Sequence, residues 1–123
     1  MRPLACVALA ALLIAYAADT AEQAWREDAL RRAANISMLS GRRRRFTDLA
    51  SAESFLAEHA GTPVRQMVEA RTLAAGPAAI HARLTEKASE ANADEVFVLA
   101  TGPSLEARIR SLELIANVHR SAA

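Results

Sequence analysis

Asp94-Glu95-Val96-Phe97-Val98-Leu99 is the stretch that decides the fold. Val96 to Leu99 are four consecutive large apolar residues, three of them β-branched or aromatic. Such a run predicts a strand buried on both faces. A helical pattern precedes it, and before that Arg71-Thr72-Leu73-Ala74-Ala75 offers a second, weaker strand over Thr72 to Ala75. Thr101-Gly102-Pro103 follows, then an amphipathic helix. Strand, helix, strand, helix with tight connections predicts a parallel sheet, with the run at Thr72–Ala75 as the parallel neighbour of Val96–Leu99.

The helix between the two strands opens at Gly76-Pro77, where glycine permits a tight turn and proline suits the first helical position. Ile80, Leu84, Ala88 and Ala91 recur on one helix face, and Asn92-Ala93 closes it. A right-handed crossover places this helix over one face of the sheet. In the last helix, from Ser104, the residues Leu105, Ile109, Leu112 and Ala116 share a face, with Ile115 beside them. Glu106 and Arg110 form a favourable i, i+4 pair.

Upstream, Leu4 to Ala18 is almost entirely apolar and shorter than the roughly 20 residues of a membrane helix. Two readings compete. One is a secretory signal over residues 1–17, with Ala15-Tyr16-Ala17 as the cleavage site. The other is a buried strand that ends at Asp19-Thr20, although alanine is a poor strand former. Thr20-Ala21-Glu22-Gln23 has capping-box spacing, and one helix is expected from there to Ser40. Trp25, Ala29, Ile36 and Leu39 lie on one side of it, with Ala33 between them. Gly41 has the left-handed conformation open to it and ends the helix. Ser51 to His59 reads as a short helix with Phe55 and Leu56 as its apolar contacts and Gly61 as its stop. Thr62-Pro63 begins another, with Val64, Met67 and Val68 as its stripe.

The 123 residues suffice for one domain with a modest, alanine-rich core. A net charge of +1 argues against a nucleic-acid partner. Cys6 is the single cysteine, so no internal disulfide and no Cys/His zinc pattern exists. Arg42-Arg43-Arg44-Arg45 reads as a phosphate, nucleic-acid or anionic-membrane patch or as a solvated loop beside a helix C-terminus, and the loop is favoured because no aromatic platform or second basic cluster accompanies it. His59, His81 and His119 are scattered and read as surface or boundary residues. Glu86 and Glu90 lie one turn apart on an outer helix, and Glu95 opens the strand. Ser37, Ser40 and Ser51 have no base placed beside them. Thr101-Gly102-Pro103 and Gly76-Pro77 follow strand ends, the functional rim of α/β folds, where plain turn chemistry also accounts for them.

Several landmarks together resemble a known family. They are Gly76-Pro77, Ile80, Arg83-Leu84, Ala93-Asp94-Glu95-Val96-Phe97-Val98 and Arg108-Ile109-Arg110-Ser111-Leu112-Glu113-Leu114-Ile115-Ala116. In that order they resemble the C-terminal end of the luciferase-like flavin-dependent monooxygenases of bacterial luciferase type. Ala17-Ala18-Asp19-Thr20-Ala21-Glu22-Gln23-Ala24 resembles the stretch that follows a barrel strand in that family. Two positions depart from the pattern: no Thr or Ser separates Gly76 from Pro77, and Leu112 stands where an aromatic is usual.

The resemblance implies a partial (β/α)8 TIM barrel, of which a full example takes about 250 residues. Residues 1–40 would supply a strand plus helix, 41–70 an insertion, and 71–123 the final βαβα unit. It implies a flavin-dependent oxidoreductase acting on a small organic substrate with dioxygen, through FMN, a related flavin or a deazaflavin. The family's flavin and substrate contacts come largely from earlier strands, so catalytic and cofactor residues are unassigned here and the chain is not competent alone. It also implies a cytoplasmic protein with no membrane partner, completed by a complementary barrel chain or a homo-oligomer. The alternative is a small exported helical protein with a binding or structural role.

Overall fold

The structure is a computed structural model and describes residues 10–122. Cys6 and the front of the apolar run, including the start of the signal-like segment, lie outside the described residues. Among the described residues three strands form, β1 (Ala10–Ala17), β2 (Ala74–Ala75) and β3 (Glu95–Ala100). They make a parallel sheet in the order β2-β1-β3. Six helices accompany them: α1 (Ala21–Glu27), α2 (Ala29–Leu39), α3 (Leu49–Glu58), α4 (Pro63–Ala70), α5 (Pro77–Glu90) and α6 (Leu105–Ala122). The chain is thus mixed α/β, and Ala10–Ala17 forms a strand, as one of the two readings of the apolar run expects, buried only from Ala15 onward.

The expected strand neighbour is corrected. Val96–Leu99 pairs with Ala11–Ile14, not with Thr72–Ala75. β2 is only two residues long and meets β1 at Tyr16↔Ala74 and Ala17↔Ala75, on the edge away from β3. The reason is length and side-chain bulk. The six-residue ladder from Ala10↔Glu95 to Ala15↔Ala100 satisfies far more backbone groups than a two-residue alanine segment offers.

Burial on both faces is also corrected. On one face Leu13, Ala15, Ala17, Val96 and Val98 pack with Leu73, Ile80, Leu84 and Leu114 under α5 and α6. Each of Ile80, Leu84 and Leu114 contributes about 1.5–3 kcal/mol by burial, and the alanines less. Their small side chains let both helices approach the strand closely. On the other face Leu12 sits opposite Phe97 and Ile14 opposite Leu99. All four are exposed, Leu12 at 69% and Phe97 at 56%.

A second core joins α2, α3 and α4 through Ala29, Ala33, Ile36, Ala52, Phe55, Leu56 and Val68. The single helix expected from Thr20 to Ser40 is two helices, broken at Asp28. Trp25 and Leu39 are exposed instead of joining Ala29 and Ile36, because the break rotates the face that follows it and Arg32 takes part of the buried side. Met67 is exposed as well. The short helix starts at Leu49, capped by Asp48, two residues ahead of the expected Ser51. Gly41 and Gly61 do adopt left-handed backbone, with φ of 79° and 77°. Thr20 and Thr62 cap α1 and α4, accepting from the N–H groups of Gln23 and Arg65. In α6 the buried residues are Ser111 and Leu114, while Leu105, Ile109, Leu112 and Ala116 are exposed. The apolar stripe read as this helix's core face points away from the core it was assigned to.

Candidate functional site

β1 is two residues longer than the ladder it forms with β3, and the strand ends form a small polar cluster there. By strand alternation Tyr16 follows Leu12 and Ile14 on the same face, but it is buried. Its hydroxyl donates to Glu27 Oε2 at 3.1 Å. Burial, then the hydrogen bond and charge of Glu27, then the charge of Asp28, raise its pKa far above the ordinary 10.0. The phenol is therefore a fixed donor. Glu27 Oε1 and Thr101 Oγ1 are both buried without a hydrogen-bond partner among the described residues.

Gly102 closes this corner. At φ 147° its backbone suits glycine, and a β-carbon there would meet Tyr16 Cε1 at 2.8 Å. The Ala17 N–H donates to the buried Ser111 hydroxyl at 2.8 Å, and Arg110 bonds Asp19 at 2.9 Å on the surface. The cavity bounded by Tyr16, Asp19, Gln23, Glu27 and Arg110 holds about 60 Å3. That is room for about two waters.

A larger groove of about 820 Å3 opens among α1, α2, α3 and α4. Trp25, Arg26, Arg32, Arg65, Glu22 and Glu53 rim it, over a floor of alanines. Arg32 is buried, stacks on Trp25 at 3.9 Å and donates to the Trp25 carbonyl. Burial lowers its pKa, against the opposing charges of Asp28 and Glu69. Asp28 receives a bidentate pair of bonds from Arg31, both 2.9 Å. Arg65 pairs with Glu69 at 3.3 Å and donates to the Leu56 carbonyl.

The other candidates fall into structural roles. Arg42 to Arg45 are exposed, as expected, but Arg44 does sit over aromatic rings, Phe46 at 5.1 Å and Phe55 at 5.4 Å. Phe46 directly follows the arginines in the sequence, whereas Phe55 is brought to them only by the helical core. His59 Nδ1 lies 3.0 Å from the Phe55 carbonyl. His81 and His119 come together across α5 and α6, with ring centroids 5.7 Å apart. Among the described residues no group of three or more His, Cys, Asp or Glu could hold a metal ion. Glu86 and Glu95 are exposed, and Glu90 pairs with Lys87. Ser37 and Ser40 donate to the carbonyls of Ala34 and Ile36, and Ser51 donates to Asp48. Ser51 does have a carboxylate beside it, but that contact is the N-cap of α3, where Asp48 also accepts from the Ser51 N–H. Gly76 caps α5 at φ −71°, so no tight turn requires glycine there. The Tyr16–Glu27 pair went unread because only the fold brings α1 back over the end of β1.

Among the described residues no helix is long and apolar enough to cross a membrane. No family model matches the chain, and no curated protein matches it. Among solved structures it is similar to apo-MsnO8, with 22% identity and a TM-score of 0.68. The match covers 90% of this chain and 34% of that one, so the chain spans about a third of that protein's length. The likeness shows a shared fold.

Proposed function

We propose that this chain is the C-terminal βα portion of a luciferase-like, flavin-dependent oxidoreductase built on a (β/α)8 barrel. The observation that carries the proposal is the fold likeness, which covers 90% of this chain and 34% of a longer one. The order of landmarks in the sequence supports the same family. So does the sheet, with helices on one face and large apolar side chains bare on the other, which is how a barrel wall is made. In this reading β1 and β3 are adjacent staves, and β2 is a short addition at the C-terminal rim.

The residues present do not by themselves fit the flavin. The cavity at the strand ends is about 60 Å3, against the roughly 300 Å3 or more of an ordinary cofactor pocket. The larger groove has the volume, but Arg32 and Arg65, two of its three cations, are already paired. What this chain contributes is the rim cluster, in which Tyr16 is held as a hydrogen-bond donor and Gly102 keeps the strand end clear. The flavin walls and the substrate site come from polypeptide outside these residues.

The test is a fluorescence titration with FMN, first of the chain alone and then of the chain mixed with the part of MsnO8 outside the matched segment. The expected result is no binding to the chain alone and saturable binding to the mixture. An assembled complex that binds neither FMN nor a deazaflavin overturns the reading.

A further inference from the structure

α5 and α6 pack together, and their seam carries two groups that neither the core nor the rim cluster uses. His81 on α5 and His119 on α6 have their ring centroids 5.7 Å apart, with the ring planes tilted by 49°. His81 is half-buried and His119 is exposed. Among the described residues no hydrogen bond or ion pair engages either ring, whereas His59 Nδ1 is occupied at the Phe55 carbonyl. Ile80, next to His81, is fully buried, and Leu84 and Leu114 pack with it in the core beneath. The two imidazoles are therefore presented from packed helices and not from loops. Ala78, Thr85, Ile115 and Ala116 stand one turn away along the two helices, so no cation at those positions repels a metal ion and no carboxylate there competes for either ring. Arg120, the residue after His119, is turned to the side-chain oxygen of Asn117.

We propose that His81 and His119 are the two protein ligands of a divalent transition-metal site that clasps α5 to α6. Imidazole nitrogen suits zinc, copper and nickel, whereas magnesium and calcium take oxygen ligands and do not compete for it. A ligating nitrogen lies about 2.0–2.1 Å from zinc, so two imidazoles that share one tetrahedral ion hold their ring centroids roughly 5–6 Å apart. The pair has that separation already. A plain contact between two aromatic rings fits the same distance. The unengaged ring nitrogens and the uncharged surroundings are what a ligand pair needs and a ring contact does not. Two protein nitrogens are fewer than the three ligands of a catalytic zinc site, so the ion keeps its other positions for water or a small donor molecule. Both ligands belong to this chain, so the site stands apart from the barrel reading above.

The experiment titrates the full 123-residue chain, made without an affinity tag, with Zn2+ and with Cu2+ by calorimetry in a non-chelating buffer. The expected result is one ion per chain, held more tightly as Cu2+ than as Zn2+, and no binding of Mg2+. His81→Gln and His119→Gln each weaken Zn2+ binding at least about tenfold. His59→Gln and Cys6→Ser leave it unchanged. Electron paramagnetic resonance of the parent chain with Cu2+ shows coupling to two imidazole nitrogens, a readout that does not depend on how any variant folds. No saturable binding of either cation overturns the proposal, as does coupling to fewer than two imidazole nitrogens. Zn2+ binding that survives either substitution at the pair, or that is lost with His59 or Cys6, overturns it as well.

Discussion

The buried Ser111 hydroxyl accepts the Ala17 N–H at 2.8 Å, joining residues 94 apart in sequence. The β1–β3 ladder stops at Ala15↔Ala100, while Tyr16 and Ala18 donate the other way, to Leu73 and Ala75. Ala17 therefore points its N–H to the side where β3 has ended. Ser111 on α6 takes the place of the missing strand carbonyl and ties the last helix to the middle strand. Ser111→Ala leaves that N–H buried and unpaired, at a cost of about 1–3 kcal/mol. A urea midpoint equal to that of the parent chain would contradict this.

Gly102 and Gly76 are expected to respond differently to the same substitution. At Gly102 an added β-carbon meets the Tyr16 ring at 2.8 Å and the backbone lies at φ 147°. Gly102→Ala should cost about 1–3 kcal/mol. At Gly76 the nearest atom to an added β-carbon is 3.8 Å away and the backbone is ordinary. Gly76→Ala should change thermal stability little, by about 0.5 kcal/mol or less. Equal effects at the two sites would refute the geometry.

Asp28 sits at the break between α1 and α2, buried between Arg31 and Arg32. Removing it leaves the Arg32 guanidinium in the core with Glu69 at 3.5 Å as its remaining carboxylate. Asp28→Ala should destabilise by about 3 kcal/mol, because an uncompensated buried charge is costly. Adding Arg32→Met to that variant should restore part of the loss, since an apolar side chain of similar length needs no counter-charge. Chemical denaturation of both variants measures the coupling, and simple additivity of the two losses would count against a shared charge network.

Tyr16 is the chain's one tyrosine, so tyrosinate absorbance reports it alone. Its folded pKa is raised above the unfolded value, so the folded state holds the proton more tightly. The stability this provides is complete below about pH 10 and declines as pH rises beyond that, because the unfolded chain ionises first. Tyrosinate should thus appear together with unfolding. Tyr16→Phe should flatten the alkaline decline. Ionisation near pH 10 with the fold intact would show the phenol to be solvated.

Much of the local architecture was legible in the sequence. Thr20, Gly41, Gly61 and Thr62-Pro63 fixed helix ends through side-chain and backbone chemistry that acts within one turn. Val96 to Leu99 announced a strand through bulk and branching, and the spacing of Ile80 and Leu84 marked the buried side of α5. These are short-range effects, set by neighbours along the chain.

Tertiary structure alone decided which strand β3 joins, which stripe of α6 meets the sheet, and where the long helix breaks. Pairing depends on how many backbone groups a distant segment can satisfy, and Ala10–Ala17 offered six residues where Ala74–Ala75 offered two. The α6 stripe of Leu105, Ile109 and Leu112 had the right period for a core, yet Ser111 and Leu114 were drawn inward because Ser111 supplies the acceptor that the end of β1 lacked. Amphipathic spacing marks the faces that seek burial. What lies opposite each of them is set by the rest of the fold.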